Sequence, residues 1–391
     1  MISVDEALAK VFALVDPTEV EEVPLRNAAG RVLAEDVSAK RDQPPFSASA
    51  MDGYAIRRED RVDGKTLTLI GEAAAGSGFD GTVSAGQTVR IFTGAPVPEG
   101  ADHVVIQEDV SAVGDRITLV NSESDDNGNI RPAGGDFRVG DTISSPSLLS
   151  PELVALLASM NIDRVPVRRK PIVAIIATGD ELVMPGETPG PDQIIASNNF
   201  GLKALCERAG AEVRMLPIAR DNVASLTKVL ELTEGADVVV TIGGASVGDH
   251  DLVGEVAAQM GMERAFYKIA MRPGKPLMAG RLGQSAMLGL PGNPVSSMVC
   301  GHLFLLPLLR KMLGLGEAAA PRVSMKLAKD LTPNGPREHY MRATTDGAWV
   351  QAFDRQDSSL LSILSKADAL IVRPPHDGPV KAGEWVDVVR L

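Results

Sequence analysis

The 391-residue chain is short of cysteine, of aromatic side chains and of positive charge, and each shortage excludes something. Its two cysteines, Cys206 and Cys300, cannot build a disulfide framework, no Cys-x-x-Cys pair occurs, and a reducing cytoplasm is the expected setting. The histidines, at 103, 250, 302, 339 and 376, lack metal-ligand spacing, which argues against a structural zinc site. Aromatics make up 4%, so cores must be assembled from Ala, Val, Leu and Ile, and base stacking has little to work with. A net charge of −12 argues against general binding to nucleic acid or an anionic membrane, so an anionic ligand needs a local basic pocket. The opening MISVDEALAKVFALVD is amphipathic and acidic, unlike a signal peptide. The longest apolar stretch, 294–313, is interrupted by Ser296, Ser297, His302 and Pro307 and ends in Arg310-Lys311; it reads as a buried helix, not a membrane span.

What is present is ordinary for a soluble globular protein of two to four domains, with 44% hydrophobic residues and enough Gly and Pro for many turns. Residues 3–15 carry a helical apolar face capped by Ser3. From about 20 to 145, short runs such as 66–70, 88–92, 103–106 and 116–120 separated by Gly, Pro, Asp and Asn predict a β-rich region. A helix is expected at 151–160, capped by Ser150, and a hinge at 164–171. Beyond Pro171, strands at 172–177, 212–218, 237–242, 265–270, 277–280 and 285–290 alternate with helices at 197–209, 222–234 (capped by Asp221), 251–260 and from 294. That alternation predicts a parallel sheet covered on both faces. A linker at 314–321 precedes a β-rich tail.

In open α/β sheets ligands bind at the carboxyl ends of strands. Four segments fall there or close by: Thr178-Gly179-Asp180-Glu181, the Gly243–Asp251 loop, Pro291-Gly292-Asn293-Pro294, and a basic group of Arg264, Lys268, Arg272 and Lys275. The glycine-rich loop alone reads equally as a sharp strand-to-helix turn, because neither GxGxxG nor GxxxxGK[ST] is present. Asn293 and Pro294 suit the start of a helix, and the same rigid loop suits an anion cradle. The cations suit a phosphate or oxyanion, with surface ion pairing as the competing reading. Asp180, Glu181, Asp221, Asp249 and Asp251 suit Mg²⁺ or helix termini. In the N-terminal region, the loops holding Asp52, Thr93, Arg131 and Asp136 read by themselves as turns. No nucleophile elbow or HExxH occurs, and covalent catalysis has no partnered base.

Together the segments SAMDGYA (49–55), TGAPVPEGAD (93–102), NIRPAGGD (129–136), TGDEL (178–182), GGASVGDHD (243–251), MRPGKP (271–276) and LPGNPVSS (290–297) resemble, in order and over essentially the whole chain, the MoeA-type molybdopterin molybdenumtransferases, the family of gephyrin's C-terminal region. The resemblance implies a multidomain α/β plus β fold. A discontinuous N-terminal helical and β-rich region (1–168) has a β-rich subdomain inserted at about 20–136. A parallel-sheet molybdopterin-binding α/β domain (169–316) and a small C-terminal β-barrel (317–391) follow.

It also implies insertion of molybdate into adenylylated molybdopterin with release of AMP, supported by Mg²⁺, in a cytoplasmic homodimer whose site is shared between chains. A molybdopterin adenylyltransferase would supply the substrate; neither nucleic acid nor membrane is involved. The implied catalytic residues are Asp52, Asp136, Asp221 and Asp251. The substrate contacts are Thr93, Arg131, Gly243, Gly244, Ser246, Lys268, Arg272, Lys275, Pro291, Gly292, Asn293 and Pro294. The metal ligands are Asp180, Glu181 and Asp251. Many relatives carry lysine where this chain has Arg272, so charge is kept while a point charge becomes a planar fork. An adenylyltransferase and a non-catalytic cofactor store or scaffold are the competing functions.

Overall fold

The computed structural model describes residues 1–121, 128–244 and 252–391. Its opening helix, Val4–Phe12, starts from a reciprocal capping box between Ser3 and Glu6. The buried face (Val4, Ala7, Leu8, Val11, Phe12) joins the core of the central α/β sheet, not that of the N-terminal region to which sequence order assigns it.

The N-terminal region contains two main sheets. One is six-stranded and built from Gly53–Ile56, Thr66–Ala73, Gln87–Ile91, His103–Ile106, Val110–Val113 and Arg116–Leu119. The other joins Val20–Pro24, Val32–Leu33, Ser147–Leu148 and Arg164–Arg168. Residues 20–33 therefore pair with the far end of the region, not with the six-stranded sheet. The expected hinge at 164–171 is in part a strand: Val165 and Val167 alternate into a core with helix Pro151–Ser159, and Arg164–Arg168 pairs antiparallel with Val20–Pro24.

The α/β domain has six strands: β1 (Ile172–Ala177), β2 (Glu212–Met215), β3 (Val238–Ile242), β4 (Glu263–Tyr267), β5 (Met278–Leu282) and β6 (Ser285–Leu290). Their order is β2-β1-β3-β6-β5-β4. The first four strands of that order are parallel, as expected; β5 and β4 add an antiparallel edge. Helices α1 (Asn198–Arg208), α2 (Val223–Glu231) and α3 (Leu252–Gln259) cover the sheet. The apolar stretch after β6 is a buried rod of two α-helices, α4 (Pro294–Cys300) and α5 (Leu306–Met312), joined by a π-helical turn at Gly301–Leu305. No helix among the described residues is long and apolar enough to cross a membrane.

The tail closes into a barrel of Arg322–Leu327, Glu338–Thr345, Trp349–Ala352, Ala369–Arg373 and Trp385–Arg390; the second strand pairs with both the third and the fourth. Met271–Arg272 adds to it in parallel with Glu338–His339. Tyr340, Leu370, Val372 and Val389 share the α/β core, which fixes the barrel against the central domain.

Candidate active-site cleft

A cleft of about 630 Å³ lies at the carboxyl ends of β1, β3 and β6, within the size range of small-molecule sites. Its walls include Thr178, Glu181, Asp221, Gly243, Gly244 and the whole Pro291–Pro294 loop. Two glycines are required here. Gly243 has φ +93°, and a Cβ on it would stand 2.7 Å from the Thr178 carbonyl oxygen. Gly244 has φ +65°, and its Cβ would meet Val253 Cγ2 at 2.2 Å. Backbone therefore forms the cleft wall where a side chain would fill it.

The carboxylates are placed by a small network. Asp180 Oδ1 accepts the Asp221 N–H at 3.1 Å. The Arg220 guanidinium donates to the carbonyls of Gly179 (3.3 Å), Asp180 (3.0 Å) and Leu182 (3.1 Å), pinning the loop that carries Glu181. Nothing in the sequence singled out Arg220; its partners are backbone atoms about 40 residues away, and backbone acceptors leave no residue-type signature. Arg220→Ala is expected to lower kcat/KM on the order of 100-fold with an unchanged melting temperature, and Arg220→Lys to recover part of it. Equal kcat/KM in Arg220→Ala and wild type would show that the loop holds itself.

Asp221, expected as a helix cap, is not one. Asn222 takes that place, accepting the Ser225 N–H at 2.9 Å from an extended backbone, so the Asp221 carboxylate is left to the cleft. Asn293 stands at the start of α4 without a capping side-chain bond. Its Nδ2 instead donates to Ser358 Oγ of the barrel at 3.0 Å, and Asn198 Nδ2 donates to the Gly292 carbonyl at 2.7 Å. The adjacent Ser359 lines the cleft, so the barrel contributes to its wall. Ser359 escaped sequence reasoning too: Asp357-Ser358-Ser359 reads as a turn, and Asp357 Oδ1 does accept from Ser359 N (2.8 Å) and Oγ (2.6 Å).

The basic group divides. Lys268, with φ +69°, holds its ammonium 4.7 Å from the Tyr267 ring centroid and lines a separate groove with Arg264 and Glu255, not the cleft. Arg272 and Lys275 flank Pro273 and Gly274, and the neighbouring Pro276 lines the cleft. Arg272 lies on the seam to the barrel, paired in register with His339. Burial, and then the charges of Arg272, Arg342, Arg373 and Arg337, push the His339 imidazole down to about 4, so four arginines surround this part of the seam.

Asp52, Thr93, Arg131 and Asp136 lie on neighbouring loops, none of which lines the cleft of their own chain. Ala48–Ser49 pairs with Ile130–Arg131, Ser49 N–H donates to Ala95 (2.9 Å), and Asp136 N–H donates to Gln43 (2.9 Å). Asp52 Oδ1 accepts from Thr93 N (2.7 Å) and Oγ1 (2.8 Å); these bonds hold its carboxyl below the usual range and keep it ionised. Ser246 and Asp251 lie outside the described residues, as do Asp249 and His250. Among the described residues no three acidic, histidine or cysteine side chains gather as a metal site. Burial pushes the Cys206 thiol up to about 12, which removes it as a nucleophile at neutral pH.

A ligand cleft at the carboxyl edge of an open α/β sheet, walled partly by an attached barrel, defines a small-molecule-binding α/β protein. Three family models match in order: MoeA N-terminal region (domain I and II) at residues 2–161, Probable molybdopterin binding domain at 174–311, and MoeA C-terminal region (domain IV) at 324–391. The chain is 36% identical to the molybdopterin molybdenumtransferase of Haemophilus influenzae, over 99% of this chain and 98% of that one. It is 33% identical to that of a Nostoc species, covering 100% and 94%. The crystal structure of the molybdopterin biosynthesis MoeA protein from Pyrococcus horikoshii OT3 superposes with a TM-score of 0.84 at 28% identity, covering all of both chains. The chain belongs to the MoeA family of molybdopterin molybdenumtransferases.

Proposed function

We propose that this chain transfers molybdenum from molybdate into adenylylated molybdopterin, releasing AMP and forming molybdenum cofactor. The observation that carries this reading is the cleft itself: backbone from Gly243-Gly244 and Pro291–Pro294 faces the carboxylates of Glu181 and Asp221, beside an arginine-rich seam. Molybdate is a dianion and the adenylate carries a pyrophosphate, so both need cations and backbone donors in a protein of net charge −12. Arg272 and Lys275 hold the oxyanion, with Arg342 as a fixed charge behind them: its guanidinium is already engaged by the Asp357 carbonyl (2.7 Å) and by Gln356 Oε1 (3.2 Å). The Pro291–Pro294 loop shapes the cradle for the pterin phosphate.

Glu181 and Asp221 are hard oxygen donors on one wall, which suits Mg²⁺, an ion that takes one or two carboxylates and leaves its other positions to water and phosphate. Bound there it would neutralise charge on the pyrophosphate. Asp180 acts on the backbone of Asp221 and so positions that ligand. Asp251 joins them on the strength of the family motif alone.

The protein works as a cytoplasmic homodimer. Asp52, Thr93, Arg131 and Asp136 of one chain complete the cleft of the other, and an adenylyltransferase supplies the substrate. The functional units are 1–168, 169–316 and 317–391, with the opening helix docked on the second. AMP release from adenylylated molybdopterin is expected only with both molybdate and Mg²⁺. Tight molybdopterin binding without AMP release would make the protein a store or scaffold. Consumption of ATP without molybdate would make it an adenylyltransferase.

A further inference from the structure

Strands Gly53–Ile56 and Gln87–Ile91 run antiparallel with Gly53 opposite Ile91. Asp52, just before the first, and Thr93, just after the second, therefore meet at one end of the six-stranded sheet. In the same register Tyr54 stands opposite Arg90, and Phe92 follows Arg90 by two residues, so the three side chains share a face. The Arg90 guanidinium lies 4.9 Å from the Tyr54 ring centroid and 5.0 Å from that of Phe92. Two such contacts fix the plane of its fork. Nη1 donates to the Gly53 carbonyl at 3.2 Å, and Nη2 donates to Gln107 Oε1 at 2.6 Å. The Gln107 N–H in turn donates to the Asp52 carbonyl at 3.1 Å, and Ser49 Oγ donates to the Met51 carbonyl at 2.6 Å. The successive carbonyls of Met51, Asp52 and Gly53 are thereby all tied down around one aspartate. Gly53 permits this packing, because a Cβ there would stand 2.1 Å from the Val105 carbonyl oxygen.

We infer that Arg90 is a positioning residue for the transfer reaction: it clamps the backbone on which Asp52 stands, directly at Gly53 and through Gln107 at Asp52 itself, and so fixes where that carboxylate is presented. The inference rests on the reading of Asp52 as a group that completes the neighbouring chain's cleft. Arg90 is not itself a substrate contact, since both terminal nitrogens are engaged within its own sheet. The two Thr93 bonds hold the Asp52 carboxyl low, burial opposes them, and the Arg90 charge adds to the downward push. The clamp needs arginine in particular. A lysine keeps the charge, but a single ammonium lacks the planar fork that stacks against two rings while donating to two separate acceptors. A misplaced carboxylate costs turnover more than binding, because its alignment matters most in the transition state.

Amide hydrogen exchange and AMP release, both on the full-length chain, test the clamp. In Arg90→Gln, exchange at the Thr93 and Gln107 amides is expected to quicken about tenfold. Exchange at Val104, whose N–H is held by the Gly128 carbonyl at 2.9 Å, is expected to stay unchanged. The kcat for AMP release should fall about 30-fold with KM within about twofold, and Arg90→Lys should recover about threefold of that loss. Gln107 is exposed, so Gln107→Met removes the Nη2 acceptor without touching the core; it should lower kcat about threefold. In an Asp52→Ala background Arg90→Gln should cost less than about twofold, because the group it positions is gone. A repeated 30-fold loss there overturns action through Asp52. Unchanged exchange at Thr93 and Gln107, or an Arg90→Lys enzyme with the wild-type rate, overturns the clamp. Wild-type AMP release by Asp52→Ala alone would instead overturn the reading of Asp52, and the exchange result then decides the clamp by itself.

Discussion

Asp52→Ala and Asp221→Ala enzymes, each reduced on the order of 100- to 1000-fold in AMP release, are expected to recover about a quarter of wild-type turnover when their subunits are mixed and re-associated. Asp221 lines the cleft, freed for it because Asn222 caps the following helix. Asp52 is absent from that cleft, yet its carboxylate is fixed by two bonds from Thr93 through Oδ1, and Oδ2 is left without a partner among the described residues. A carboxylate held so firmly on an exposed loop suits a site completed by another chain. In the proposed dimer, random re-association makes half the pairs mixed. In each mixed dimer one cleft receives both aspartates and the other neither, which yields one active site in four. Recovery of activity on mixing, together with inactive parents, is read by AMP release. Parents that stay inactive when mixed would place both aspartates in the same site of one chain.

The second large effect is on stability. Asp237→Asn is expected to cost about 2–3 kcal/mol and to lower the melting temperature on the order of 5–10 °C. Arg169 grips Asp237 with two bonds (Nη1 to Oδ2, 2.9 Å; Nη2 to Oδ1, 2.8 Å), and the Ile172 N–H donates to Oδ2 at 2.7 Å. Arg169 also reaches Glu19 at 2.8 Å, so one guanidinium ties the N-terminal region to the base of β1 and β3. Burial raises the Asp237 carboxyl, but the Arg169 bond, the Ile172 N–H and the charges of Arg169 and Arg214 outweigh it, and the net displacement is downward. With the folded group more acidic than the unfolded one, its stabilisation is present above the ordinary aspartate range near pH 4 and is lost as pH falls through the folded value. The gap in melting temperature between wild type and variant should therefore shrink on acidification below about pH 4. A gap that stays constant from pH 7 to pH 3 would rule out the carboxylate as its source.

Much of the fold was legible from periodicity. The buried strands Ile172–Ala177 and Val238–Ile242 are continuous apolar runs, and Ser3 and Ser150 cap the helices they precede. What periodicity left hidden shares a cause. Residues 164–168 resembled a hinge because their Arg and Pro obscured the alternation of Val165 and Val167, which makes sense only opposite Val20–Pro24. Lys268 looked like part of one basic cluster with Lys275, but the chain turns back there, Lys268 N–H pairing with Leu277 and Ile269 N–H with Lys275, and Lys268 lines a groove apart from the cleft.

Alone, the sequence determined what depends on neighbours along the chain: local periods, capping chemistry, glycines at left-handed positions, the acidic balance and the ordered motifs that mark the MoeA family. Only the tertiary structure decided what depends on residues far apart. It placed the opening helix on the α/β core, drew Ser359 of the barrel and the Arg220 clamp to the cleft, and gathered arginines around His339. Contacts of that kind are set by packing and backbone hydrogen bonds across the fold, and these leave no fixed spacing in the chain for a reader of sequence to find.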